Sequence, residues 1–252
     1  MIWASERPGV YSDYDTSGIL WGQTSGKSVG IAAVGQGNAN TVHIVYRASD
    51  AVLLFGAGSS LSELCSVALA NGAASVAAVP VASDSPDYTT AFAALEEKDI
   101  CVLLCDSVSL SVHHSLMDSV KRASSHKKER VGLAVCQGED PFSWAKNFAC
   151  ERMVLLAQQP DAGPACGFAA ACAGRIAQAA NPSIPLHGSV LSGFAGVSPA
   201  LSESQIDAYV QAGICPLEYA AGNVEIIRAV TSRVTREDST PDRTFQELST
   251  VL

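Results

Sequence analysis

The sequence predicts an α/β fold: a doubly wound, mostly parallel sheet flanked by helices, with extended segments at both ends. Three observations predict it. Short apolar runs without polar alternation recur through the middle of the chain, as strands buried on both faces require. Helical segments with their own start and stop signals separate these runs, and parallel strands need such crossovers. Strand-like or turn-making sequence stands at both tips with no partner nearby, a pattern suited to pairing with another chain.

The elements follow in order. Residues 1–28 are rich in Gly, Ser and Tyr and read as extended, with the turn-making run Arg7-Pro8-Gly9-Val10-Tyr11 near their start. Residues 29–34 read as a strand. In Val42-His43-Ile44-Val45 the histidine alternates with apolar neighbours, which puts His43 on the outward face of a strand. Residues 52–55 admit two readings. They form either a strand leading into Gly56-Ala57-Gly58 or the end of a short helix begun at Ser49-Asp50 and broken by Gly56. A helix over 61–70 and a strand over 76–81 come next. Ser85-Pro86-Asp87 starts a helix over 88–97. Strands over 100–105, 130–136 and 152–157 alternate with a helix over 110–124 and a short one over 142–149. A small-residue helix, 165–180, stops at Asn181-Pro182, and its Gly167, Ala171 and Gly174 predict very close packing on the sheet. After Pro185 the pattern changes. Ser202-Glu203-Ser204-Gln205 spells a capping box that opens a helix running to Ala212, and Gly213 ends it. Residues 214–219 and 223–232 read as an antiparallel pair around Gly222. The charged, proline-containing stretch 235–243 reads as a loop. The apolar run Phe245-Gln246-Glu247-Leu248-Ser249-Thr250-Val251-Leu252 follows it.

Composition narrows the function. The chain has 252 residues, 16 Lys plus Arg against 25 Asp plus Glu, and a net charge of −9. A nucleic-acid partner is excluded, because phosphate contacts need a basic face. Residues 1–10 lack the apolar stretch of a secretory signal, and the small, apolar run 166–173 is far short of a membrane span. The eight cysteines (65, 101, 105, 136, 150, 166, 172 and 215) include no C-x-x-C pair. Cys101, Cys105 and Cys136 sit in strand-like apolar runs, where a free thiol behaves as a small hydrophobe. They read as reduced, structural thiols, and no metal or thioredoxin-type site is expected.

Several segments approach a catalytic motif, and none completes one. Gly22-Gln23-Thr24-Ser25-Gly26-Lys27-Ser28 has three residues between its glycines where a phosphate-binding P-loop has four, and a strand follows it in place of a helix. Gly56-Ala57-Gly58-Ser59-Ser60-Leu61 has Leu61 where a dinucleotide fingerprint has its third glycine, with Asp84 as the candidate ribose acid. On the strand reading of 52–55 this is the alternative function, a nucleotide-dependent oxidoreductase working from Gly56–Gly58. Asp15-Thr16-Ser17-Gly18 has no second copy to pair carboxylates and reads as a turn. No G-x-S-x-G elbow mounts a nucleophilic serine. His113-His114 read as exposed or half-buried helix residues, His126 lies in a solvated connector, and His187 lies in a turn-rich loop.

Taken together, an ordered set of segments resembles the tail sheath proteins of contractile phage tails and related injection particles. They are Arg7-Pro8-Gly9-Val10-Tyr11, Ser17-Gly18-Ile19-Leu20-Trp21-Gly22, and Gly26-Lys27-Ser28-Val29-Gly30. Further on come Leu54-Phe55-Gly56-Ala57-Gly58-Ser59, Ala68-Leu69-Ala70-Asn71-Gly72-Ala73, and Glu151-Arg152-Met153-Val154-Leu155. The last are Ile184-Pro185-Leu186-His187-Gly188 with Leu191-Ser192-Gly193, then Arg228-Ala229-Val230-Thr231-Ser232-Arg233, then Phe245 to Thr250. The resemblance implies a doubly wound core of subtilisin-like shape without catalytic residues or cofactors. It implies subunits stacked helically around an inner tube protein, bounded by baseplate and tail-terminator proteins, in a virion tail or injection particle assembled in the bacterial cytoplasm. It also implies terminal arms that add strands to a neighbouring copy. The expected subunit-linking residues are Arg7, Pro8, Gly9, Val10, Tyr11, Phe245, Leu248 and Val251. The chain divides on this view into an extended N-terminal segment (1–28), an α/β sheath core (29–234), and a loop with the start of a C-terminal segment (235–252). The smaller C-terminal domain usual in the family is expected to be missing, as in a fragment or a short member.

Overall fold

The computed structural model describes residues 27–138, 140–179, 185–234 and 247–250. In chain order these give β1 (Ser28–Val34), β2 (His43–Val45), α1 (Ala48–Phe55), α2 (Ser60–Ala70), β3 (Ser75–Val81) and α3 (Tyr88–Glu96). Then come β4 (Val102–Cys105), α4 (Leu110–Ser125), β5 (Val131–Val135), α5 (Pro141–Ala145) and β6 (Met153–Leu156). The rest are β7 (Gln159–Pro160), α6 (Gly167–Gln178), β8 (Ser189–Leu191), β9 (Val197–Ser198), α7 (Glu203–Gln211), β10 (Leu217–Ala220) and β11 (Asn223–Ile226).

Six strands form one sheet in the order β2-β3-β1-β4-β5-β6. All neighbours are parallel except β2, which runs antiparallel to β3 at one edge. The parallel strands therefore lie second, first, third, fourth, fifth, an order in which the chain leaves β1 on one side and returns on the other. Their apolar runs serve two cores at once. In β1, Val29, Ile31 and Ala33 face a core completed by α1, α2 and α6, and Ala32 faces a second one built by α3, α4 and α5. Burial on both faces is why the predicted strands lacked alternation.

Local signals placed most helix starts. The Asp87 side chain accepts from Thr90 N–H at 3.1 Å and caps α3, and the capping box of Ser202 and Gln205 closes over α7. Gly213 ends α7 with φ of +76°, where a side chain would be strained. Arg130, 1 % exposed, donates to the carbonyls of Leu95 at 3.0 Å and Lys98 at 2.9 Å, so a buried cation satisfies the C-terminal end of α3.

One open choice is decided and three expectations need correction. Residues 52–55 take the helical of their two readings, as part of α1, so no strand leads into Gly56. His43 faces inward: its ring meets Phe55 edge-on at 5.7 Å, and Ile44 takes the outward position at 46 % exposure. His113 is fully buried rather than exposed or half-buried. The glycines of α6 admit a helix as well as the sheet. A Cβ on Gly174 would lie 2.5 Å from the Ala68 carbonyl oxygen of α2.

The second half of the expected hairpin is also shorter, because its backbone turns to other partners. β10 and β11 pair as predicted, and β8 joins β11 on its far side. Beyond Ile227 the chain leaves the hairpin. Ile227 N–H makes one last bond in the hairpin register, to Pro216 O at 3.0 Å, and Ser232 N–H then bonds to Met153 O at 2.8 Å, which brings the segment against β6.

Candidate functional site

In an open α/β sheet of this order, ligands bind beyond the carboxyl ends of the strands, where the winding reverses. Here that place is the crevice between the ends of β1 and β4. Asp106, the first residue after β4, fills it. Its Oδ2 accepts from Val34 N–H at 2.9 Å, and its Oδ1 accepts from the Tyr88 hydroxyl at 2.6 Å. Burial, reinforced by the hydrogen bond to Asp106, pushes the Tyr88 phenol well above its ordinary pKa. The next two main-chain donors are also committed, Gly35 N–H to Val81 O at 3.4 Å and Gln36 N–H to Phe55 O at 3.0 Å. A phosphate placed here would find its donors already bonded within the chain. Sequence reasoning missed Asp106 and Tyr88, although a lone carboxylate directly after an apolar strand was the available signal.

The near-motifs do not converge on this crevice. Gly56-Ala57-Gly58 follows helix α1 and precedes α2, and Asp84 is exposed on a loop. The oxidoreductase reading required a strand at 52–55 and loses its support. Of the P-loop-like run, Ser28 begins strand β1, as its context predicted, and residues 22–26 lie outside the described residues. Asp15-Thr16-Ser17-Gly18 lies outside them too. His187 and His126 are exposed, each apart from the crevice. Among the described residues no group of three or more His, Cys, Asp or Glu is placed to hold a metal. No helix among them is long and apolar enough to cross a membrane.

All eight cysteines are buried and none is in a disulfide. Burial pushes the thiols of Cys65 and Cys166 up to about 12 and that of Cys101 to about 11, so they are held as protonated apolar fillers. His113 lies under Trp144 with ring centroids 5.7 Å apart, and burial lowers its pKa to about 4. Its Nε2 donates to Ser107 O at 2.8 Å, and its Nδ1 has no hydrogen-bond partner among the described residues. A depression of about 640 Å³ opens at the opposite end of the sheet, lined by Lys27, Asp99 and Lys127 among others, with Lys128 paired to Glu97 at 3.1 Å. Its charges are mixed and do not converge.

What the fold does bring together are segments far apart in sequence. Asn71, buried at the end of α2, accepts from Ser192 N–H at 2.8 Å and donates to Ser192 O at 3.1 Å. Ser232 Oγ donates to Cys150 O at 2.9 Å, and Arg233 reaches Glu151 at 2.6 Å. Gly188 N–H bonds to Ile226 O at 2.8 Å. Asn71 ties the loop after β8 to the end of α2, Ser232 and Arg233 tie the final segment to the residues before β6, and the Gly188 bond lies within the antiparallel region. Residues 214 and 215 cover the β6 edge: Ile214 bridges to Leu155, and Cys215 N–H bonds to Leu155 O at 2.8 Å.

Of the expected subunit-linking residues, Arg7, Pro8, Gly9, Val10, Tyr11, Phe245 and Val251 lie outside the described residues. Leu248 is 1 % exposed and packs in this chain's own core, its N–H bonded to Ala229 O at 3.1 Å. Beside it Glu247 bridges to Val230 and accepts from Arg228 Nε at 2.5 Å.

Comparison with known proteins gives one family-model match and several similar folds. The family model for the phage tail sheath protein central domain matches residues 82–232. No curated protein matches the chain by sequence. Among solved structures, the sheath tail protein from Desulfitobacterium hafniense superposes with a TM-score of 0.71 at 12 % identity, covering 96 % of this chain and 79 % of that one. The sheath tail protein from Listeria innocua gives 0.70 at 11 % identity, over 88 % and 72 % of the two chains. The helical sheath of the anti-feeding prophage in its contracted state gives 0.68 at 15 % identity, over 96 % and 71 %.

Proposed function

The chain belongs to the phage tail sheath family, and from that premise we propose that it is a structural subunit of a contractile tail or injection particle. Copies stack helically around an inner tube protein between baseplate and tail-terminator proteins. Contraction is a rigid-body rearrangement of subunits between two packings. The particle assembles in the bacterial cytoplasm, and its core takes the subtilisin-like shape without catalysis. The division into 1–28, 29–234 and 235–252 is part of the same reading.

One observation carries it: the family match spans α3 through β11, and its residues 214–215 and 232 bond to the β6 edge of the sheet. The self-occupied crevice at Asp106 supports the absence of a cofactor, since the donors a phosphate needs are spent. Strand exchange through Arg7, Pro8, Gly9, Val10, Tyr11, Phe245, Leu248 and Val251 links the copies. Leu248 closes here onto its own chain, and exchange hands the same place to a neighbour's Leu248.

Sedimentation velocity over a wide concentration range tests the proposal. Species growing in mass with concentration are expected, because heterologous contacts do not close. A monomer at every concentration contradicts it.

A further inference from the structure

The short helix α5 and the turn after it rest on the body of the molecule without hydrogen bonds to it. The chain is fixed on either side of them: Cys136 N–H bonds to Leu156 O at 2.8 Å, and Cys150 N–H bonds to Ser232 Oγ at 3.2 Å. Between these points, every hydrogen bond of residues 140–149 among the described residues closes within the segment. Trp144 N–H reaches Asp140 O, Asn147 N–H reaches Trp144 O, and Phe148 N–H reaches Ala145 O. Side-chain packing holds the segment down. Phe142 meets Tyr209 of α7 edge-on at 5.5 Å, and Trp144 and Phe148, each 2 % exposed, lie against His113 of α4 with ring centroids 5.7 and 6.3 Å away. A unit held by packing alone can open without breaking the bonds of the sheet.

His113 is the one titratable ring at the centre of that packing. Its Nε2 donates to Ser107 O, so a second proton must go to Nδ1, which has no hydrogen-bond partner among the described residues. Trp144 Nε1 lacks a partner too, but it is a donor and cannot accept from a protonated imidazole. Around His113, α4 offers His114, α5 offers Asp140 and Lys146 at its two ends, β4 ends in Cys105 and Asp106, and β5 leads to Cys136. No carboxylate among them bonds to the ring. Asp140 accepts from Ser143 N–H at 2.9 Å, Asp106 holds Val34 and Tyr88, and Cys105 donates to the same Ser107 O at 3.7 Å. His114 opposes a positive charge beside it. A charged imidazole would therefore sit buried, with one donor unsatisfied, beneath the side chains that pin the segment.

We propose that residues 140–149 form an acid-released flap, in which a proton on His113 Nδ1 lifts Trp144 and Phe148 off α4 while the sheet stays folded. Opening returns the imidazole to water, where its ordinary pKa is 6.5, whereas burial under the closed flap holds it at about 4. The closed state is thus at full strength above pH 6.5 and weakens as pH falls toward 4. Between pH 7.5 and 4.5 the opening equilibrium rises about seventyfold. Asp140, held below the ordinary carboxylate range by its bonds to Ser143, stays ionised over that span and leaves the change to His113. The flap belongs to the single chain, assembled or not, and does not rest on the sheath reading.

Hydrogen exchange of the full chain, read by mass spectrometry as protection factors that remove the intrinsic pH dependence, tests the flap. Peptides covering residues 140–149 should exchange ahead of those in β4 and β5 at every pH. Their rates should barely respond to low urea, because the opening exposes little surface. From pH 7.5 to 4.5 their protection should fall about seventyfold. His113→Gln, which keeps a donor toward Ser107 and cannot titrate, should cut that fall to less than about threefold, and His114→Gln should retain it. An equal fall in His113→Gln overturns the flap. So does exchange over 140–149 that rises with urea as steeply as in β4 and β5, a result that the unsubstituted chain gives by itself even if His113→Gln does not fold.

Discussion

Single buried polar groups in this molecule face specific partners, and their titration follows from that placement. His113 is buried beneath Trp144, and that burial holds its pKa at about 4 against an ordinary 6.5, the hydrogen bond to Ser107 O opposing the shift only in part. Between those values the unfolded chain binds a proton that the folded chain does not. Stability from this group is therefore complete above pH 6.5, falls as pH drops toward 4, and then levels off. The full swing is about 3 kcal/mol. Urea titrations from pH 7.5 to 4.5 should show that loss in the native sequence. His113→Gln, which keeps a donor toward Ser107 and cannot titrate, should flatten the profile. An unchanged slope in the variant contradicts the assignment. The sequence placed His113 on a helix but not under Trp144, because the contact joins α4 to residues that follow β5. Asp106 was missed for the same reason: its partners Val34 and Tyr88 are distant in the chain.

Elements with local causes were legible in advance, and elements defined by distant partners were not. The apolar strands read correctly because burial on both faces leaves a continuous mark in sequence. The starts of α3 and α7 read correctly because Asp87 and Ser202 cap from within a few residues. Residues 52–55 stayed ambiguous since a four-residue apolar run suits either element, and only packing against α2 and β2 decides it. Three consecutive apolar residues on an eight-residue helix cannot all face one core, and that was the readable sign of the exposed side of α1. The glycines of α6 foretold close packing, but the contact at Gly174 is with α2. Gly174→Ala tests that contact with a clear sign. Helix propensity favours alanine by about 1 kcal/mol, but the new methyl meets a main-chain carbonyl that has no free rotation to escape. Overpacking of this kind costs about 1–3 kcal/mol. A net loss of up to about 2 kcal/mol in urea unfolding is expected. A gain in stability shows the helices part without cost.

At the scale of the whole molecule, the fold places its specific chemistry in holding itself together. The crevice where such sheets hold cofactors is taken by Asp106, one sheet edge is covered by bonds from residues 214–215 and 232, and β2 at the other edge pairs with β3 alone among the described residues. A chain built this way suits the structural role proposed for it, in which copies associate helically. Electron microscopy of the full chain under assembling conditions tests this most directly. The account predicts tubes or short helical polymers of repeating subunits, and particles that remain monomeric or close into small rings contradict it.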